Sequence, residues 1–250
     1  MPRLPCRLII DEPRDGPTNM AADEWLLQWA AEKEGMALRF YSWSRPTLSL
    51  GYFQRIGDRE HHADSLGCEI VRRASGGGAI LHHHELTYAF VMPITDRAHS
   101  SATSIYDLFH ETLIATLADF SVPARLANAR DVAASDPNSF LCFQRRSLGD
   151  VVWNESKIGG SAQRRHANAM VQHGSILLNR SDFAPELPGI NDLGSANVSA
   201  PSLREGWLPR VADRRGLVFS ANSPFSPSEH EQIREISNHR FASNDWIHRR

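Results

Sequence analysis

Residues 72–79 read Arg-Arg-Ala-Ser-Gly-Gly-Gly-Ala, directly behind the strand-like run CEIVRR at 68–73. Three consecutive glycines after a strand constrain this chain more than any other stretch. Without Cβ atoms the backbone can approach a ligand closely. The N–H groups of Gly76, Gly77 and Gly78 could then cradle a phosphate or hold an oxyanion. The spacing is neither a P-loop nor G-x-G-x-x-G, so neither nucleotide motif applies. A flexible hairpin connection is the plain alternative.

The pattern around the loop mixes strands and helices unevenly. Residues 19–34 read as a helix capped by Thr18 or Asn19, with Ala22, Leu26, Trp29 and Ala30 at helical spacing. MALRFYSW, TLSLGYF and CEIVRR read as strands. ELTYAFVMP alternates and predicts a half-buried strand. A second helix is expected over 104–119, opened by a capping box of Ser104 and Asp107. DVVWNESKIGGSAQRR predicts a hairpin turning at Asn154–Ser156, and MVQHGSILLN another strand. Residues 180–225 are rich in Pro, Gly and Ser and read as irregular. Ser226-Pro227-x-Glu229 starts a last helix. Such a mixture favours an α+β sheet flanked by helices over a doubly wound parallel sheet.

Composition removes several classes. Lys+Arg is 27 against 29 Asp+Glu, a net charge of −2, where a nucleic-acid binder would be far more basic. No apolar run approaches the roughly 20 residues that span a bilayer, so no membrane partner is expected. Cys6, Cys68 and Cys142 are an odd number without a CxxC pair, which points to a reducing cytoplasm and away from a disulfide framework. His82-His83-His84 cannot all face one site from a strand, and no zinc pattern accompanies them, so no metal is expected. Of the three, His82 can line the glycine loop.

Two further residues stand out. Only Lys33 and Lys157 are lysines among the 27 basic residues. Lys157 opens the run KIGGSAQ, where Gly160, Ser161 and Ala162 permit close packing on a ligand. It could bind a carbonyl or phosphate oxygen, or be a solvated hairpin lysine. Cys142 in SFLCFQRRS is either a small buried hydrophobe or a nucleophile whose thiolate is stabilised by Arg145, Arg146 or Lys157.

Together these segments resemble the catalytic domain shared by biotin and lipoate protein ligases and octanoyltransferases. NMAADEWLL, WSRPTLSLGYFQ, RRASGGGAILHHHELTYAF, KIGGSAQRR and QHGSILL follow one another in that family's order over about residues 19–179. The likeness is closest to the cysteine-dependent octanoyltransferases of lipoate assembly, which carry a Cys-Phe pair upstream of the lysine strand, as Cys142-Phe143 precedes Lys157 here. SGGGA at 75–79 instead looks like the ATP-using lipoate ligases.

The resemblance implies a class II aminoacyl-tRNA synthetase and biotin synthetase-like α+β domain, a mixed β-sheet flanked by helices. One catalytic domain is expected over 1–250, with its core at 19–179 and a C-terminal extension at 180–250. An octanoyl or lipoyl group would pass from an acyl carrier protein thioester, or a lipoylated donor, through Cys142. The acceptor would be a lysine of a lipoyl domain or glycine-cleavage H protein. Cys142 and Lys157 would be catalytic. Arg72, Ser75, Gly76, Gly77, Gly78, Ala79, His82, Tyr88, Gly160, Ser161 and Ala162 would bind substrate, with Leu81, Tyr88 and Phe90 walling the acyl pocket and His82 a candidate base. Arg145-Arg146 and Arg164-Arg165 would face acidic carrier domains. The transferase needs no cofactor. The alternatives are an ATP- and Mg-dependent lipoate–protein ligase working through an acyl-adenylate, and a non-catalytic regulator that binds an acyl ligand or nucleic acid.

Overall fold

The computed structural model describes residues 3–94 and 102–250, the side chains of 102–104 excepted. The strands are β1 (Leu4–Ile10), β2 (Ala37–Tyr41), β3 (Thr47–Leu50), β4 (Glu69–Arg72), β5 (Ile80–His82), β6 (Glu85–Pro93), β7 (Arg125–Leu126), β8 (Val151–Trp153), β9 (Ser156–His166), β10 (Ala169–Leu177) and β11 (Leu217–Asn222). The helices are α1 (Gly16–Lys33), α2 (Ala102–Asp119), α3 (Ala129–Ala133), α4 (Ala200–Arg215), α5 (Pro227–Ile236) and α6 (Asn244–Ile247).

Eight strands form one mixed sheet in the order β11-β1-β2-β6-β10-β9-β8-β7. β1 runs parallel to β2 and β11, and the remaining pairs are antiparallel. A second sheet has the order β4-β3-β5. The glycine-rich loop connects β4 to β5.

All nine residues of β6 are buried, where alternation alone suggests one wet face. Leu86, Tyr88, Phe90 and Met92 pack in one apolar core with Phe109 and Leu113 of α2 and Trp207 of α4. Ala89 and Val91 face a second core with Ala22, Leu26 and Ala30 of α1. Helices thus cover both sides of the strand. Trp207 is fully buried, and its indole donates to Thr112 Oγ1 at 2.9 Å. Truncating such an aromatic to alanine costs about 3–5 kcal/mol.

Three local expectations need correction. α1 is capped by Asp15, whose carboxylate accepts from Thr18 N at 2.8 Å, rather than by Thr18 or Asn19. An acidic cap meets the orphan N–H groups and the positive end of the dipole together. α2 already runs from Ala102, so a capping box at Ser104 and Asp107 does not open it; the Ser104 side chain lies outside the described residues. Residues 180–225 are not irregular throughout. They contain α4, which packs on α2, and β11, which pairs with β1 at the sheet edge.

Candidate active site

The sequence folds the cysteine segment onto the glycine loop through the backbone. Cys142 N donates to Ala79 O at 2.7 Å, and Ala79 N donates to Phe140 O at 3.0 Å. This pairing requires a close approach at Gly78. A Cβ there would stand 3.0 Å from Phe140 O and 3.1 Å from Cys142 N. The third glycine of the run therefore lets two distant segments meet.

The β8–β9 hairpin brings Lys157 to the same place. Its Nζ lies 4.0 Å from Cys142 Sγ and 2.8 Å from Asp150 Oδ2. Lys157 is 7% exposed, so it is not a solvated hairpin lysine. Asp150 also accepts from Tyr106 Oη at 2.9 Å and from Ser147 N at 2.7 Å. Burial, then the adjacent Asp150 carboxylate, raises the Tyr106 phenol well above its ordinary value, so it stays a donor.

Cys142 and Lys157 line a cavity of about 800 Å³. That volume suits a small-molecule or acyl ligand. Gly76, Gly77, His82, Gly160, Ser161 and Ala162 share the lining. Its apolar wall comes from Met20, Ile80, Leu126, Phe143 and Leu148. Leu81, Tyr88 and Phe90, expected as acyl walls, lie in the apolar cores instead, because their strand faces turn toward other side chains.

Five residues expected to bind substrate do not line the cavity. Arg72 is fully buried and directed elsewhere. Its guanidinium donates to the carbonyls of Gly51, Gln54 and Ile247, fastening the C-terminal α6 to β4. Ser75 sits behind the wall with Oγ 2.7 Å from His173 Nε2. Ala79 is spent on the bridge to Leu141. Tyr88 contributes at one remove: Gln172 donates to its hydroxyl at 2.8 Å, and that hydroxyl lies 2.8 Å from Ser161 Oγ. Gly78 too has its role in the loop packing and not in the lining.

Ser161 then meets His110 Nε2 at 2.7 Å, while His110 Nδ1 donates to Gly149 O at 2.6 Å. The carbonyl can only accept, so Nδ1 carries the proton and Nε2 accepts from Ser161. Burial holds the imidazole down to about 4, so it is neutral near pH 7.

His82 stacks on Trp43 with centroids 3.8 Å apart. Its Nδ1 faces Glu85 Oε1 at 2.7 Å and its Nε2 faces Ser49 Oγ at 2.7 Å. Burial lowers its basicity, against the opposing pull of Glu85. With both nitrogens engaged it has no lone pair to offer an incoming amine, which corrects its reading as the base.

The basic pairs are less free than the sequence suggests. Arg164 and Arg240 both bind the buried Glu24. Arg145 donates to Ser139 O and Arg146 to Glu155 O. Of these two pairs, only Arg165 is exposed.

Sequence reasoning missed Asp150, Tyr106, His110, His173 and Arg73. Asp150 had a usable signal, since the expected hairpin places an acid across from the lone strand lysine. Tyr106 and His110 come from α2, His173 from β10 and Arg73 from just after β4; Tyr106, His173 and Arg73 line the cavity and His110 reaches it through Ser161, a meeting made only in three dimensions.

The charged groups of the lining are Arg73, Lys157, Asp107 and Asp150. They are two cations against two carboxylates, so the side chains bring no net positive charge to the cavity.

No helix among the described residues is long and apolar enough to cross a membrane. An octanoyltransferase LipM of Carboxydothermus hydrogenoformans is 30% identical, covering 94% of this chain and 95% of its own. That of Geobacillus kaustophilus is 29% identical over 93% and 94%. In three dimensions the fold matches a bi-partite lipoate protein ligase from Thermoplasma acidophilum with a TM-score of 0.76 at 19% identity, covering 99% of this chain and 96% of that one. It also matches an ATP-bound lipoate-protein ligase A with a TM-score of 0.77 at 20% identity, covering 98% of each. The sequence profile described as "Lipoyl protein ligase A/B catalytic domain" spans residues 15–187, from the cap of α1 past the end of β10, and the chain belongs to that family.

Proposed function

We propose that this protein is an octanoyltransferase that carries the acyl group on Cys142. The observation that carries the reading is the 4.0 Å approach of Lys157 Nζ to Cys142 Sγ at the wall of an acyl-sized cavity. The near full-length likeness to octanoyltransferases supports it.

The donor is an octanoyl thioester of an acyl carrier protein. The Cys142 thiolate attacks its carbonyl carbon, forming a new C–S bond and moving the charge to oxygen. Collapse expels the donor thiolate and leaves octanoyl-Cys142. One thioester replaces another, so the step is nearly balanced in energy. The neutral ε-amine of a lipoyl-domain or H-protein lysine then attacks. A C–N bond forms, the bond to Cys142 Sγ breaks, and the nitrogen sheds one proton to solvent.

In this reading Lys157 holds the carbonyl oxygen, with its ammonium fixed by Asp150 at 2.8 Å. The N–H groups of Gly76 and Gly77 have no acceptor among the described residues and are available to the same oxygen. In this reading the acyl group arrives already activated as a thioester, so no step needs an adenylate.

Intact mass after mixing with octanoyl carrier protein, without ATP, tests the reading. One octanoyl adduct is expected, absent in Cys142→Ala. ATP-driven acylation by free octanoate that survives Cys142→Ala would overturn it.

A further inference from the structure

Arg73 differs from the other large buried cations. It is 3% exposed, and among the described residues it has no carboxylate partner. Arg39, also buried, is paired with Asp11 and Asp23. Arg72 has no carboxylate either, but all three of its nitrogens donate to carbonyls away from the cavity. Arg73 Nη1 donates to Ser49 O and Oγ, and Nη2 to Gly76 O and Gly78 O. Its buried Nε–H has no acceptor among the described residues.

This cation lines the same cavity as Cys142. A single point above Gly77, where a Cβ would stand, is 3.5 Å from Arg73 Nη2 and 3.9 Å from Cys142 Sγ. Removing a guanidinium from water without a counter-ion is costly, and an anion nearby recovers much of that cost.

The other charges around the sulfur are already accounted for. Lys157 is matched by Asp150 at 2.8 Å, so the pair brings little net charge. Tyr106 is held neutral as a donor to Asp150. Arg145 is half-buried and partly solvated, which screens its field. Asp107 lines the cavity with the opposite sign.

We infer that Arg73 is the fixed counter-charge of the Cys142 thiolate, leaving Lys157 to act on the acyl carbonyl. The inference rests on Cys142 being the acyl carrier. Arg73 exchanges no proton. It is a positioning residue whose field favours the charged sulfur before attack and again when the thiolate is expelled. Burial pushes its guanidinium down to about 10, and a negative Cys142 opposes that fall, so it remains charged near pH 7.

The test is the rate of Cys142 alkylation by iodoacetamide against pH, with Cys142→Ala defining the background. Arg73→Met is expected to move the midpoint up by about one unit or more, the scale of a lost charge partner. Arg73→Lys, which keeps the charge, should stay near the unaltered protein, and so should Arg145→Gln. An unmoved midpoint in folded Arg73→Met, or an equal rise in Arg73→Lys, would overturn the inference.

Arg73 also ties the glycine loop together, so Arg73→Met could fail to fold. A second comparison keeps Arg73 intact. Cys142→Asp should melt above Cys142→Asn near neutral pH, with the gap closing as the carboxylate is protonated. Cys142→Asp melting at or below Cys142→Asn at every pH would sink the idea. Both measurements are made without acyl donor. An adduct in the unaltered enzyme with an unmoved midpoint removes only the role of Arg73, whereas a missing adduct removes the acyl-cysteine reading itself.

Discussion

Asp150 Oδ2 stands 2.8 Å from Lys157 Nζ, with both side chains buried, across the mouth of the β8–β9 hairpin. The contact makes a flexible lysine behave as a fixed point charge. A free lysine side chain would lose substantial rotamer entropy each time it met substrate. Here folding has already ordered it.

Asp150→Asn is expected to lower both stability and turnover. The ammonium loses its charged partner while remaining buried, a change that costs about 3–5 kcal/mol. Thermal unfolding and the octanoyl transfer rate check this together. Unchanged values of both would show that the pair is incidental.

Lys157→Arg should be folded yet slow. The charge survives, but a broad planar fork replaces a compact ammonium. Misplacement by about 1 Å can cost about a hundredfold in rate, and a loss of that order is expected. Single-turnover transfer from octanoyl carrier protein measures it, and near-normal transfer would remove Lys157 from the reaction.

Gly160→Ala separates activity from stability. A Cβ at residue 160 would stand 2.6 Å from Lys157 Cε and 3.0 Å from its Nζ. The flexible end of the lysine yields more readily than the sheet backbone, so the cost to the fold stays near about 1 kcal/mol. The displaced ammonium should slow transfer by about tenfold or more. A variant that melts far lower but transfers normally would contradict this account.

The β8–β9 hairpin was legible because its apolar runs flank a tight turn, and the last helix because Ser226 and Glu229 cap it locally. The burial of β6 on both faces was not. Its second cover is α1, more than fifty residues upstream, and alternation cannot see it. α4 was hidden by Pro201 and Pro209, which read as breakers although Pro201 sits at a helix start and Pro209 is carried inside the helix.

The candidate site divides the same way. Cys142 and Lys157 could be singled out as residue types that are rare or reactive in this sequence. Arg72 was chosen over Arg73 because adjacent arginines on a strand are indistinguishable until one knows which face meets the cavity. The structure turns Arg73 inward and gives Arg72 to the C-terminal segment.

The buried His110 gives a pH dependence that needs no substrate. Burial lowers it from an ordinary 6.5 to about 4. Between those values the unfolded chain binds a proton that the folded chain does not, so stability falls as pH drops through this window. At one pKa unit per 1.36 kcal/mol the contribution is about 3 kcal/mol, present above 6.5 and lost on approaching 4. His110→Gln removes the titration while leaving an amide to meet Ser161 and Gly149. Thermal unfolding from pH 7.5 to pH 4.5 should therefore destabilise the unaltered protein more steeply than the variant. Parallel curves would mean that His110 takes up its proton alike in the folded and unfolded chains, so that burial does not hold it neutral against Ser161.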